Sequence, residues 1–136
     1  MTAPRRDQDV SDELKKVDVI GAVGTKKRGS RPYCKQHPYH WEVVFGYGTG
    51  SLANRSCGVS IFLRKVRLRQ PRIKRVWTPP ACIVGRAGAV TVWSAELSGA
   101  TFVALHWPVR ARNSREEEAY RLTCDAMVDW VMVLAA

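Results

Sequence analysis

The spacing of apolar positions changes several times along the chain, and each change marks an element. Residues 1–9 are mostly polar and read as a tail with no regular structure. Val10, Leu14 and Val17 recur at steps of four and three, with Ser11 or Asp12 placed to cap them, which predicts a short helix. Residues 18–23 form a β-branched apolar run beside glycines, the pattern of a buried strand. Residues 26–40 combine charges with glycine and proline breakers and predict a loop. Residues 41–45 predict a strand, Gly46-Tyr-Gly-Thr-Gly50 a flexible turn, and residues 57–63 a strong strand. Over 64–77 basic and apolar residues alternate, and Pro71 interrupts them, which predicts two edge strands or a ragged hairpin. After a stop at Pro79-Pro80, residues 89–93 and 101–105 read as two further strands parted by a turn at Ser98-Gly99.

The last pattern is helical. Tyr120, Cys124, Met127, Val131 and Leu134 lie at steps of four and three and define one apolar face. Asn113 or Ser114 caps the helix, and Ser114-Arg-Glu-Glu117 fits a capping box. The three glutamates 116–118 fall in the first turn, where the helix dipole favours negative charge, so their expected role is helix stabilisation. Strands grouped between helices predict an α+β layer architecture with a mostly antiparallel middle.

Composition narrows the function classes. A chain of 136 residues fits one domain and can bury a real core. Lys and Arg number 22 against 12 Asp and Glu, a net charge of +10 that favours a polyanionic partner. Between Val19 and Trp93 stand 14 basic residues and a single acidic one, Glu42. A hydrolase that works through clustered carboxylates is hard to build from that stretch. The N-terminus lacks the apolar core of a signal peptide, and the longest apolar run, 131–136, is far short of a membrane span. The four scattered cysteines suggest no disulfide framework, so an intracellular setting is expected, the nucleus included.

Three constellations admit two readings each. Cys34, His37 and His40, with Cys57 further on, are zinc-ligand types at atypical spacing; the alternative is a loop with incidental Cys and His. The basic stretch containing Arg67, Arg69, Arg72, Lys74 and Arg75 is either a track for a nucleic-acid backbone or a charged edge strand that blocks aggregation. Its preference for Arg, whose guanidinium pairs with phosphate in bidentate fashion, favours the first reading. His106 is either a phosphate or proton-transfer contact or a structural histidine, and Trp107 beside it is the tryptophan best placed to be exposed.

Five short patterns in order resemble the endonuclease/exonuclease/phosphatase superfamily, in particular the endonuclease domains of non-LTR retrotransposons. They are Asp18-Val-Ile-Gly-Ala-Val-Gly-Thr-Lys26, Ser56-Cys-Gly-Val-Ser-Ile-Phe-Leu63, Gly85-Arg86 followed by Ala89-Val-Thr-Val, Phe102-Val-Ala-Leu-His-Trp-Pro108, and the Glu-rich helix ending in Met127-Val-Asp-Trp130. The resemblance implies part of a four-layer α/β sandwich over residues 10–136, with mostly antiparallel strands and flanking helices. It implies an ancestor that cleaves phosphodiesters with Mg²⁺. Gly24 lies at the family's metal-binding glutamate and His106 at its tyrosine, while Thr25 and Lys26 fit. The asparagine strand would precede the first helix, and the Gly-Asp-x-Asn and Ser-Asp-His motifs would lie beyond Ala136. The resemblance therefore implies a truncated, inactive domain that binds no Mg²⁺ itself, with the remainder of the domain or a reverse-transcriptase region as partner. Its expected nucleic-acid contacts are Thr25, Lys26, Asn54, Arg55, Arg86 and Trp107 together with the basic stretch, and DNA is expected over RNA. The alternative is a basic nucleic-acid-binding module without catalysis.

Overall fold

A computed structural model of the chain describes residues 14–48, 57–65, 72–93 and 99–136. Among them, seven strands and one long helix follow in order: β1 (Val19–Val23), β2 (Tyr33–Gln36), β3 (His40–Phe45), β4 (Val59–Arg64), β5 (Arg72–Trp77), β6 (Ala87–Trp93), β7 (Ala100–Leu105) and α1 (Ser114–Ala135). A 3₁₀ turn, Ala81–Ile83, links β5 to β6. The strands form two sheets, ordered β1-β4-β3-β2 and β5-β6-β7, and every neighbouring pair is antiparallel. The fold is α+β. Among the described residues, no helix is long and apolar enough to cross a membrane.

The period-2 alternation of strands decides the layering. Val43 and Phe45 of β3 share an inner face with Val59, Ile61 and Leu63 of β4, and they meet Val90 of β6 and Ala104 of β7 in one buried cluster. The two sheets therefore stack face to face. Gly88 makes the contact close, because a Cβ there would lie 2.3 Å from the Phe45 ring. The other face of the second sheet carries Ala87 and Ala89, small enough to admit α1, whose Met127 and Trp130 pack there with Ile83. Burying two such side chains contributes roughly 1.5–3 kcal/mol each.

Helix α1 starts where its sequence places it, and the cap is Asn113 rather than Ser114: the Asn113 side chain accepts from the Glu116 N–H at 2.9 Å. Its buried face is centred on Met127 and Trp130, so the stripe through Tyr120 and Cys124 runs beside the true contact. One tryptophan covers more apolar surface than either, and its position wins.

Several other expectations are corrected. Residues 18–23 do not form a buried strand: among the described strands β1 pairs only with β4 and lies at the sheet edge, leaving Val23 52% exposed. The loop expected over 26–40 contains β2, an edge strand paired with β3 whose four residues are all exposed, so no apolar alternation marks it. The strand expected from residue 57 begins at Val59, because Gly58 adopts φ +113°, outside strand geometry. In the turn expected over 46–50, Tyr47 and Gly48 donate backbone hydrogen bonds to the carbonyls of Lys27 and Gly29, and Thr49 and Gly50 lie outside the described residues. Of the basic stretch, residues 72–77 form an edge strand; Arg67, Arg69 and Pro71 lie outside the described residues. Most of the first predicted helix, with Val10 and its caps, and Ser98 also lie outside them.

Candidate nucleic-acid interface

Backbone hydrogen bonds gather the ends of four strands at one end of the sandwich. Thr25 and Lys26, just past β1, donate to the carbonyls of Gly58 and Cys57 at 3.1 and 3.0 Å. The Gly58 N–H donates to Gly85 at 2.7 Å, and the His106 N–H to Arg86 at 2.7 Å. An unbroken path thus runs from the turn after β1, through the entries to β4 and β6, to the exit of β7. Gly58 and Gly85 both have positive φ, and a Cβ on either would lie 2.5 Å from Thr25 Oγ1 or 2.8 Å from the Tyr47 backbone. Glycine is what lets these loops close on one another. Lys26 itself sits at φ +58°, a left-handed conformation that costs an ordinary residue about 1–2 kcal/mol and is held here by the pairing on both sides.

This arrangement brings together Thr25, Lys26, Arg86 and His106, with half-exposed Trp107 following directly. Arg86 Nη1 donates to the His106 carbonyl at 3.2 Å, which orients its guanidinium across the β6–β7 end. Burial, and then the Arg86 charge, hold the His106 imidazole below its ordinary pKa of 6.5, so the ring is neutral at neutral pH. Its Nδ1 is buried with no partner among the described residues. The group can donate and accept hydrogen bonds around an anion whose charge Lys26 and Arg86 balance. Asn54, Arg55, Arg67 and Arg69 lie outside the described residues. Arg72, Lys74 and Arg75 stand apart from this end, on the edge strand β5.

The donor set at the strand ends does not fit a Mg²⁺ ion, which takes oxygen ligands, usually carboxylates with waters. Gly24 offers no side-chain ligand, and Thr25, Lys26, Arg86 and His106, the residues joined at these strand ends, supply a hydroxyl, two cations and an imidazole. The four zinc-ligand candidates are not brought together. His40 accompanies Arg64 at one end of the β3–β4 ladder, whereas buried Cys57 precedes the other end; Cys34 is exposed on β2. His37 and His40 point their Nε2 atoms at Glu42 and the Val17 carbonyl, at 2.7 and 2.9 Å. Among the described residues no three His, Cys, Asp or Glu side chains form a metal-binding group.

One cluster escaped the sequence reading. Glu42 is fully buried on the outer face of the first sheet and accepts hydrogen bonds from Lys27 Nζ at 2.5 Å and Ser60 Oγ at 2.6 Å, with His37 Nε2 at 2.7 Å. Burial alone would raise its pKa, but these partners outweigh burial and hold the carboxyl below its ordinary 4.5. The available signal was a lone carboxylate inside the apolar strand His40–Phe45, in a stretch otherwise without acids. Through Lys27, Glu42 ties the 24–29 loop to the sheet and so supports the turn that carries Lys26.

Compared with protein-family models, curated proteins and solved structures, the chain matches none.

Proposed function

We propose that the chain is a basic domain of endonuclease/exonuclease/phosphatase type that grips a nucleic-acid backbone at its strand ends without cleaving it. The observation that carries this reading is the convergence of Thr25, Lys26, Arg86 and His106 at one end of two stacked antiparallel sheets. Two sheets with a helix packed on the second fit the sheet–sheet–helix part of the four-layer sandwich that the sequence patterns resemble. The residues that remain are those that hold a phosphate: two cations, a hydroxyl and a neutral imidazole. The carboxylate that would hold a cation is replaced by Gly24. DNA is the proposed partner, with phosphates rather than bases as the main contacts.

Anisotropy of a fluorescein-labelled DNA duplex across a salt series tests the reading. Removing one cation from a phosphate should lower the salt slope by about 0.9, so Lys26→Ala and Arg86→Ala should each weaken binding and flatten the slope by about one unit. Binding and slope unchanged in both variants would refute the strand-end site. Supercoiled plasmid incubated with Mg²⁺ should stay intact, and nicking abolished by EDTA would refute the non-cleaving half of the proposal.

A further inference from the structure

Helix α1 covers only part of the outer face of the second sheet. It packs over Ala87 and Ala89, with Trp77 and Leu105 at the margin. On the uncovered part of the face Trp93 is 45% exposed and Val103 37%. The edge strand β5 flanks this open area, and it is not regular. Ile73 pairs with Val92, yet Arg75 pairs with Thr91, so Lys74 is the extra residue of a bulge.

The bulge decides which way the cations point. With strict alternation, an inward Ile73 would send Arg75 inward too and Val76 outward. The bulge resets the phase, so Ile73 and Val76 both pack into the core between the sheets. Arg72 and Arg75, opposite Trp93 and Thr91, then share the outer face with Trp77. The contacts bear this out. The Arg75 guanidinium lies 3.6 Å from the centre of the Trp77 ring, and Lys74 Nζ lies 5.7 Å from that of Trp93. Protection of a sheet edge requires only a charge on it. It gives no reason for three cations aligned with two tryptophans on one face.

We propose that this face binds single-stranded DNA, with an unpaired base stacked on Trp93 and the backbone running along Arg72, Lys74 and Arg75. The cationic strip matches a polyanion. The exposed aromatic face matches a base that is free to stack, which a duplex does not offer. The hydroxyls of Thr91 and Thr101 bond each other at 2.7 Å, and Thr91 also accepts from Trp77 Nε1 at 2.9 Å, which fixes Trp77 on this face; DNA rather than RNA is carried over from the reading above. The inference shares the nucleic-acid reading above but uses a different surface.

The test is anisotropy of a fluorescein-labelled oligothymidylate about 15 nucleotides long, within the site sizes of such platforms. Trp93→Ala should weaken binding about tenfold, and Trp93→Phe should restore most of it, because stacking needs only an aromatic ring. Arg72→Ala combined with Arg75→Ala should flatten the salt slope by about 1.4, or 0.7 for each contact on a single strand. A duplex of matched length should bind Trp93→Ala as it binds the wild type. Unchanged oligothymidylate binding by Trp93→Ala overturns the inference, as does an equal loss on the duplex or tighter binding of oligouridylate. Lys26→Ala and Arg86→Ala report on the strand-end site in the same assay with duplex, so either proposal can fail while the other stands. Far-ultraviolet circular dichroism confirms that each variant is folded.

Discussion

Replacing Glu42 tests the interior of the first sheet most sharply. The carboxylate serves three donors, and it is fully buried while Lys27 and His37 remain about one-third exposed. In Glu42→Ala the buried Ser60 hydroxyl loses its acceptor, at a cost of about 1–3 kcal/mol. The two exposed partners can turn to water, so their loss adds less than the full cost of breaking a buried ion pair, about 3–5 kcal/mol. The expected total is about 3 kcal/mol. Glu42→Gln keeps the shape and one acceptor oxygen but loses charge assistance, which makes about 1–2 kcal/mol the expected cost. Urea unfolding followed by tryptophan fluorescence measures both, with constant m-values as the check that the unfolded state is unchanged. The pH dependence adds a second readout. The folded-state pKa of Glu42 lies below 4.5, so its contribution is present above pH 4.5 and is lost as pH falls through the lowered value. His106, held below 6.5, also costs stability on acidification, starting below pH 6.5 as the unfolded chain takes up a proton that the folded chain refuses. The difference between wild type and Glu42→Gln cancels the His106 part, and it should shrink only below pH 4.5. A cost under about 1 kcal/mol for Glu42→Ala, or a difference that stays flat to pH 3, would refute the claim that this network holds the loop to the sheet.

Two further perturbations probe the packing. Gly88→Ala places a methyl against the Phe45 ring and should destabilise the protein by about 1–3 kcal/mol in the same urea assay, because neither stacked sheet can give way freely. Asn113→Ala removes the acceptor of the Glu116 N–H and should cost about 1 kcal/mol, while Asn113→Gly should cost only a few tenths; equal losses in the two would show that the cap bond is not what matters.

The strong elements were legible locally. The strand cores around Trp41, Ile61, Val90 and Val103 and the C-terminal helix come from spacing alone, since burial on one side forces a period of two or 3.6 onto the residues. The helix start was legible too, because an Asn or Ser before three glutamates satisfies free N–H groups and the helix dipole at short range. β2 left no such trace, because an exposed edge strand is chosen by its partner's ladder and not by its own side chains. The edge position of β1 was equally silent, since a short apolar run reads the same whether one neighbour or two will pair with it.

The sequence by itself determined the charge of the chain, the helix with its cap, and which residue types were available to touch a phosphate. Lys26, Arg86 and His106 stand far apart along the chain, and their strand ends meet only through the pairing of β1 with β4 and of β6 with β7 together with the Gly58–Gly85 bond that joins the two stacked sheets. The bulge in β5 belongs to the same class of fact. No local pattern of Arg and Lys tells which face a cation takes, because in a strand one extra residue reverses the face of every residue after it, and only the register against β6 records that step.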